Sequence, residues 1–350
     1  MTDCPWRERE ELLVQGRFGP GLFGPLLVGR FGPLLGRNIP LCGPKRLTLD
    51  QIHIHFFGYV SRLPKMGETI HGNKFSVGFG GKGANQCVMS SRLGAKSAMI
   101  AMVGDDSFGN DTIKNFEMNN VDVDFVFKTS EAATGAAPIA VDDRGQNSII
   151  IVSGANNLLS ESHVKEAFNY ITSCKVMLCQ LEILPETTLA ALKLARSRGV
   201  FTVLNPAPAV KDLDEEFLKN CDIFCPNETE AELITGLPVR SIEEVKIASL
   251  ALLDKGCKRV IITLGDQGSI LASSDTRTPV HIPVTKVKTM DSTGAGDCFI
   301  GSLAYYLALY PDLQLEEVIQ RACVIASVSV CATGTQTSFP WKHELSDELF

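Results

Sequence analysis

Most of this 350-residue chain alternates between short apolar runs and longer amphipathic segments, and this alternation constrains its fold more than any other feature. The apolar runs are rich in Val, Ile and Leu without regular polar alternation, as in strands buried on both faces, and they lie at 97–103, 176–181, 200–204, 222–225 and 259–264. Segments of helical length lie at 106–119, 160–172, 186–198, 241–256, 294–309 and 315–331. Repeated strand–helix units predict an α/β protein, with a mostly parallel central sheet between two layers of helices.

Two regions interrupt this alternation. Residues 53–79 and 123–152 contain β-branched and aromatic residues with turn signals such as Asp142-Asp143-Arg144-Gly145. They predict a few antiparallel strands outside the main sheet. A small sheet of this kind can form a lid over a site at the strand ends.

The first 50 residues differ from the rest of the chain. Segment 16–37 repeats Gly-Arg-Phe-Gly-Pro, and its regular Gly-Pro breaks exclude a stable helix or central strand. We therefore expect residues 1–50 to be a low-complexity, disordered extension and 51–350 to be the main domain. Scattered arginines leave a targeting peptide open, whereas Glu8, Glu10 and Glu11 argue against one.

Composition excludes several classes of function. The net charge is -7 and the pI is near 5.5, so the chain is not expected to bind nucleic acid or an anionic membrane. It contains no apolar run long enough to span a bilayer. Its 11 cysteines are scattered singly, which favours buried free thiols in a reducing compartment. We expect a cytoplasmic protein, with the nucleus as a further location.

The first glycine-rich loop spans residues 78–86 and contains a GxGxxG match at Gly78, Gly80 and Gly83. This match is weak evidence for a dinucleotide site, because residues 71–77 do not resemble a buried strand. A P-loop is excluded, since glycine follows Lys82 where Ser or Thr is required. A plain turn into a helix at 84–94 stays open. The polar set Lys82, Asn85 and Gln86 favours a hydroxyl-rich ligand.

The second loop, residues 291–297, reads Asp-Ser-Thr-Gly-Ala-Gly-Asp and precedes an apolar helix. Free N–H groups and the positive end of the helix dipole make such a helix start an anion site. Asp297 lies in the first turn, where it is either a carboxylate that stabilises the dipole or a base that takes a proton from an attacking hydroxyl.

Several softer motifs follow the predicted strands, and together with the two loops they carry a resemblance. They are Gln180-Leu-Glu182, Asn205-Pro-Ala-Pro-Ala, Pro226-Asn-Glu-Thr-Glu230 and Thr263-Leu-Gly. With Gly80-Gly-Lys-Gly-Ala-Asn-Gln and the 291–297 loop, this set resembles the ribokinase branch of the PfkB carbohydrate kinase family, over about residue 61 to the C-terminus. The resemblance implies a ribokinase-like fold and ATP-dependent phosphorylation of D-ribose at its 5-hydroxyl.

The resemblance also assigns roles to residues. Asp297 matches the catalytic base. Residues that match the ribose site are Gly80, Gly81, Lys82, Gly83, Asn85 and Glu182. The anion hole matches Gly294, Ala295 and Gly296. The ATP site matches Asn227, Thr263, Leu264, Gly265, Asp266, Gln267, Gly268, Gly296 and Cys323.

Two metal ions are implied as cofactors beside ATP. Glu230, with Asn227, resembles the acidic motif that the family links to Mg²⁺; without the resemblance, simple capping of a helix explains these residues as well. A monovalent-cation site, normally K⁺, matches Asp291, Thr293, Ser329, Ala332, Gly334 and Ser338. A homodimer formed through the lid is also implied.

The N-terminal part departs from the family pattern. Relatives begin with a central apolar strand and a turn whose Asp binds ribose, whereas His55 stands at the position of that Asp and His53 at that of its polar neighbour. The central strand is expected to be missing or replaced by residues 46–55. An alternative function is therefore a catalytically impaired protein that binds nucleotide but binds ribose poorly. A kinase for another sugar or nucleoside and, distantly, a nicotinamide oxidoreductase are further alternatives.

Overall fold

The computed structural model describes residues 45–49 and 51–350. The predictions for residues 1–44 and for Asp50 lie outside the described residues. Residues 45–49 form a strand of the main sheet, so the main domain begins before the predicted boundary at residue 51.

The described residues form strands and helices in alternation. The strands are β1 (Lys45–Leu49), β2 (His53–Val60), β3 (Lys74–Gly80), β4 (Lys96–Gly104), β5 (Val121–Thr129), β6 (Ala136–Asp142), β7 (Asn147–Ile149), β8 (Cys174–Cys179), β9 (Phe201–Leu204), β10 (Ile223–Phe224), β11 (Arg259–Thr263), β12 (Ser269–Ser273) and β13 (Val280–Ile282). The helices are α1 (Lys82–Arg92), α2 (Ser107–Met118), α3 (Glu161–Glu166), α4 (Phe168–Ser173), α5 (Pro185–Ser197), α6 (Glu215–Lys219), α7 (Glu228–Thr235), α8 (Ile242–Asp254), α9 (Ala295–Leu309) and α10 (Leu315–Ser329).

The main sheet has the strand order β13-β12-β11-β10-β9-β8-β1-β4-β5. Neighbours from β11 to β5 pair in parallel, and only β12 and β13 are added antiparallel. Alternate residues of β8 belong to different apolar clusters: Met177 packs with α5 and α8 on one face, and Leu178 packs with α9 and α10 on the other. Both faces are therefore covered, which confirms the predicted three-layer α/β/α fold.

The central strand, which was expected to be missing or replaced by residues 46–55, is present at Lys45–Leu49. β1 pairs in parallel with β8 on one side and β4 on the other, and Thr48 and Leu49 are buried. The expected single strand over 46–55 is wrong, because the chain leaves the main sheet after Leu49 and enters a second sheet at His53. Neighbour pairing on both sides stabilises β1 although its sequence, Lys-Arg-Leu-Thr-Leu, is not continuously apolar.

The second sheet is a four-stranded lid with the order β3-β2-β6-β7. Strands outside the main sheet are thus present within the predicted region 53–79 and the later part of 123–152. They are not all antiparallel as predicted, because β2 pairs with β6 in parallel, whereas β2–β3 and β6–β7 are antiparallel. β5, by contrast, belongs to the edge of the main sheet, where it pairs with β4. Its Asp122 and Asp124 break the apolar pattern because the edge strand has one side in contact with solvent.

Two expectations from composition can be compared with the structure over the described residues. None of the helices in this part is long and apolar enough to cross a bilayer. The nine cysteines within it are all buried and carry free thiols.

Candidate active site

The predicted site residues meet at the carboxyl ends of the main-sheet strands, beneath the lid. The glycine-rich loop runs from β3 into α1, Glu182 follows β8, Asn205 follows β9, and Asn227 follows β10. Asp297 lies in the first turn of α9. This edge is the usual ligand position of an open α/β sheet.

Asp297 is a buried carboxylate, 9% exposed, that is held by two side-chain amides. Asn85 Nδ2 donates to its Oδ2 over 2.9 Å, and Gln86 Nε2 donates to its Oδ1 over 3.0 Å. Burial raises the pKa of Asp297, while the Lys82 ammonium and the two amide donors oppose that rise. The result is a fixed, basic carboxylate.

A second group of amides holds Gln86. Its Nε2 also donates to Asn205 Oδ1 over 3.1 Å, and its Oε1 accepts from Gln180 Nε2. Asn205 Nδ2 donates in turn to the Cys225 carbonyl over 3.0 Å. Sequence reasoning quoted Gln180 and Asn205 only as parts of motifs and gave them no role; their position directly after β8 and β9 was the available signal.

Lys82 and Glu182 form the other side of the site. The Lys82 backbone N–H donates to Glu182 Oε2 over 2.8 Å, which ties the glycine-rich loop to the end of β8. Burial raises the pKa of Glu182 to about 7, although the Lys82 charge and N–H bond favour the ionised form. A carboxyl group of this kind can both accept and donate a hydrogen bond near neutral pH.

The glycine-rich loop packs against the β1–β2 connection without room for side chains. Gly81 has φ +94°, and a Cβ added there would lie 2.4 Å from the Gln51 carbonyl oxygen. Gly80, its neighbour, lies against the His55 ring. Gly80, Gly81 and Gly83 therefore contribute backbone rather than side chains to the site.

A polar cavity of about 180 Å³ adjoins Asp297. Its lining includes Lys82, Asn227, Glu230, Gly294 and Gly296. Gly294 precedes α9 in the left-handed region, and Ala295 N–H donates to the Ser292 carbonyl in a turn. Of the predicted anion hole, Gly296 lies in the first turn of α9, where its N–H group has no preceding turn to accept it, and the same holds for the N–H group of the neighbouring Asp297.

A more apolar cavity of about 190 Å³ shares Thr263 and Gly296 with the first. The predicted nucleotide residues Thr263, Gly265, Asp266, Gly268 and Cys323 line it, with Ala295 and Phe299 opposite. Leu264 and Gln267, which were also predicted to bind ATP, do not line this cavity. Leu264 is buried in the core, and the Gln267 carbonyl lies 2.8 Å from His281 Nε2.

Asn227 and Glu230 form a capping box at the start of α7. Asn227 Oδ1 accepts from Glu230 N–H and Glu230 Oε2 accepts from Asn227 N–H, each over 2.8 Å. The capping interpretation is thus confirmed, and both residues also line the polar cavity. Burial raises the pKa of Glu230 despite the bond from Asn227.

The predicted cation residues belong to two segments that Asp291 joins. Its Oδ1 accepts from Thr293 N–H over 2.9 Å and its Oδ2 from Gly334 N–H over 2.8 Å. Burial acts to raise the pKa of Asp291, but these bonds hold it below the usual value. Ser329 and Ser338 are buried, and Ala332 N–H donates to the Ser329 carbonyl over 3.3 Å.

With this geometry in place, comparison with known proteins identifies the family. A model of the "pfkB family carbohydrate kinase" matches residues 45–342, beginning at the first residue of β1. The chain belongs to this family.

Sequence relatives within the family agree. The chain is 53% identical to mouse ribokinase over 290 residues, which are 83% of this chain and 90% of the relative. It is 38% identical to a deoxyribokinase of Salmonella typhi over 291 residues, 83% of this chain and 94% of that protein.

Solved structures show the same architecture. Ribokinase from Giardia lamblia superposes with a TM-score of 0.79 at 28% identity, covering 86% of this chain and 98% of that one. Arabidopsis thaliana ribokinase, solved in complex with ribose and ATP, gives a TM-score of 0.79 at 28% identity, over 86% of this chain and 97% of that one.

His53 is a feature of this PfkB-family chain that its sequence already marked as unusual. The side chain is 2% exposed on the lid strand β2, and its Nε2 has no hydrogen-bond partner among the described residues. Burial and then the neighbouring His55 lower the pKa of His53 to about 4. The imidazole is therefore neutral at physiological pH.

Acidification is expected to destabilise the fold through His53. The folded-state pKa of about 4 lies below the ordinary 6.5, so the unfolded state binds the extra proton and stability is lost as pH falls from 6.5 towards 4. Near pH 4.5 the loss from this residue is on the order of 2 kcal/mol. Urea unfolding of wild type and His53→Asn at neutral and acid pH measures it. Equal losses in the two proteins would contradict the prediction, because His55 is common to both.

Proposed function

We propose that this protein transfers the γ-phosphoryl group of ATP to the 5-hydroxyl of D-ribose, giving D-ribose 5-phosphate and ADP. The observation that carries the proposal is the position of Asp297: a buried basic carboxylate stands beside a polar cavity that joins an apolar cavity at Gly296 and Thr263. A hydroxyl next to Asp297 would face a phosphate at the start of α9. The 53% identity to mouse ribokinase supports ribose as the sugar.

The sugar would occupy the region between the glycine-rich loop and Asp297. Gly80, Gly81 and Gly83 would contribute backbone groups to the sugar site, while Lys82, Asn85 and Glu182 would supply polar side chains. Glu182 lies next to Lys82 and has a pKa of about 7, so it can pair with a hydroxyl in either direction.

ATP would span both cavities. The apolar one, with Gly265, Asp266, Gly268 and Cys323, suits the adenine and ribose of the nucleotide. The phosphates would then lie in the polar cavity near Asn227, Lys82 and the first turn of α9. A γ-phosphoryl group at their shared wall, Thr263 and Gly296, would lie next to Asp297.

The chemical step follows from this placement. Asp297 takes the proton of the 5-hydroxyl as its oxygen forms a bond to the γ-phosphorus, and the bond from that phosphorus to the bridging oxygen of ADP breaks. N–H groups of Gly296 and Asp297 at the start of α9 stabilise the charge on the transferred group. Fixed geometry and charge stabilisation supply most of the rate enhancement.

Two cations fit the residues present. The Glu230 carboxylate with Asn227, at the edge of the polar cavity, would hold the Mg²⁺ that accompanies ATP, and this ion would neutralise phosphate charge. The second site offers oxygen donors only, from Asp291 and from the hydroxyls of Thr293, Ser329 and Ser338, with the backbone of Ala332 and Gly334. This set fits a hard monovalent cation such as K⁺.

A comparison of sugars tests the proposal. ADP release is measured with D-ribose, 2-deoxy-D-ribose and 5-deoxy-D-ribose under the same conditions. We expect turnover with D-ribose and none with 5-deoxy-D-ribose, which lacks the accepting hydroxyl. A higher kcat/KM for 2-deoxy-D-ribose than for D-ribose would instead favour deoxyribose as the substrate, in line with the deoxyribokinase relative. Equal ADP release with all three sugars would overturn it.

We also propose a homodimer formed through the lid, because apolar side chains at its edge strands are exposed. Phe75 and Val77 on β3 are 66% and 52% exposed, and Ile150 and Ile151 after β7 are 63% and 56% exposed. Covering exposed apolar side chains of this kind favours association. Light scattering should give twice the mass of 38.0 kDa for wild type and 38.0 kDa for Val77→Lys. Ile247→Lys, a change of an equally exposed residue on α8, should stay dimeric. Monomeric wild type at micromolar concentration would refute the dimer.

A further inference from the structure

A chain of side-chain hydrogen bonds connects Arg92 to Asp297. Arg92 Nε donates to Asn119 Oδ1 over 2.8 Å, and Asn119 Nδ2 donates to the carbonyl and Oδ1 of Asn115 over 2.8 and 3.3 Å. Asn115 Nδ2 donates to Gln336 Oε1 over 3.0 Å. Gln336 Nε2 donates to Asn85 Oδ1 over 3.0 Å, and Asn85 Nδ2 reaches Asp297 over 2.9 Å.

The two ends of this chain set the direction of every bond between them. The guanidinium of Arg92 can only donate and an ionised Asp297 can only accept. Each intervening amide therefore receives a hydrogen bond on its oxygen and passes one on from its nitrogen. Reversing any one amide would place two oxygens or two N–H groups face to face. The arrangement thus presents an N–H group, rather than a carbonyl, to Asp297.

Gln336 is held both through its side chain and through its backbone. Its side chain bonds to Asn115 and Asn85, and its backbone carbonyl accepts from Arg92 Nη1 over 2.6 Å. The residue is 7% exposed and lies in the segment after α10 that Asp291 binds through Gly334. Its distance along the chain from Asn85, 251 residues, makes this a tertiary contact.

We propose that Gln336 is a positioning residue for Asp297, which it serves by fixing the amide of Asn85 with its N–H group toward the carboxylate. The proposal rests on the assignment of Asp297 as the base. Without the N–H donor of Gln336, Asn85 Oδ1 loses its hydrogen-bond partner, and the amide can rotate out of line with Asp297. The carboxylate would then lose a hydrogen bond that favours its ionised, aligned form.

Other groups around Asp297 limit the size of this effect. Gln86 keeps its bond to Oδ1, and the Lys82 ammonium still opposes the burial of the charge. Glu182 and Glu230 are the acidic groups that interact with Asp297. Loss of one hydrogen bond to a charged group predicts a fall in kcat of about 10- to 100-fold and a rise of about one unit in the acidic limb of the pH–kcat profile.

Two variants separate positioning from packing. Gln336→Leu keeps the bulk, adds no charge and removes both side-chain bonds, so a role in packing alone predicts near-wild-type behaviour for it. Gln336→Glu keeps the acceptor for Asn115 but replaces the donor to Asn85 with an oxygen. Its added negative charge also raises the pKa of Asp297, so the comparison with Gln336→Leu separates the two causes. Thr337→Val is the matched control in the same segment, because the exposed hydroxyl of Thr337 bonds only the Thr333 carbonyl in the described structure.

The test is a carboxyl ¹³C NMR titration of Asp297, assigned by the signal that Asp297→Asn removes, together with kcat and KM across pH. We expect a higher pKa for Asp297 in both Gln336 variants, lower kcat, an unchanged KM for ATP, and wild-type values in Thr337→Val. A pKa of Asp297 in Gln336→Leu equal to that of wild type would overturn the proposal. The NMR titration needs no turnover. If the pKa of Asp297 depends on Gln336 but the wild-type protein phosphorylates no sugar, the proposed function is refuted and the positioning of Asp297 is not.

Discussion

Replacing Asp297 with asparagine is expected to lower kcat by about 10²- to 10⁴-fold, the contribution of a positioned general base. The substituted amide cannot take the hydroxyl proton. Its NH₂ group would also face Asn85 or Gln86, both of which donate to the carboxylate in the native site. The affinity for ATP should stay within a few-fold of wild type, because the apolar cavity is unchanged. Steady-state kinetics and ATP titration calorimetry measure the two quantities.

The control for this change is Asp254→Asn. Asp254 is an exposed carboxylate at the end of α8 that pairs with Arg277 over 2.7 Å. Surface pairs of this kind contribute little, about 0–1 kcal/mol, so activity should be unaffected. Turnover of Asp297→Asn at the level of this control would remove Asp297 from the mechanism.

Adding one methyl group at Gly81 is expected to be nearly as damaging. An alanine there must hold φ near +94° and place its Cβ 2.4 Å from the Gln51 carbonyl, a backbone atom that cannot rotate away. The overlap separates the glycine-rich loop from the β1–β2 connection and shifts Lys82 relative to Glu182. We expect a loss of about 2–4 kcal/mol of stability from strain and overpacking and a fall in kcat/KM for the sugar of about 100-fold or more.

Gly236→Ala separates steric overlap from backbone strain. Gly236 also has a positive φ, +70°, but an added Cβ there would meet no atom within 4 Å. This variant should lose only about 1–2 kcal/mol and keep its kinetic constants. If Gly81→Ala and Gly236→Ala had equal kcat/KM, close packing of the loop would have no part in sugar binding. Denaturant unfolding and initial rates on the three proteins decide this.

Periodicity predicted most of the main sheet, and its failures have physical reasons. Runs such as 176–181 and 259–264 are apolar because both faces of their strands are covered. β1 was not predicted, since Arg46 and Thr48 interrupt its apolar pattern and its stability comes from pairing with β4 and β8, which lie far along the chain. Local sequence contains no record of such pairing.

The site, too, has features that the sequence predicted and features that it did not. The two glycine-rich loops and Asp297 were visible because a helix start with glycines has a local sequence pattern. The amide network was not. Gln86, Gln180 and Gln336 bond across 94 and more residues, and the sequence has no feature that distinguishes a bonded glutamine amide from a solvated one.

The presence of β1 removes one of the two grounds for the alternative of an impaired protein, namely a missing central strand. A missing central strand would have left the edges of β4 and β8 unpaired, but both are paired with residues 45–49. His53 and His55 remain as differences on the lid strand next to Gly80, and nothing in the fold favours inactivity.

The central claim is tested most directly by coupled ADP release from purified protein with ATP, Mg²⁺ and K⁺, in the presence and absence of D-ribose. We predict ADP release that depends on ribose and saturates with it, with ribose 5-phosphate formed in equal amount. Folded protein that binds ATP but releases no ADP in response to ribose would contradict the account.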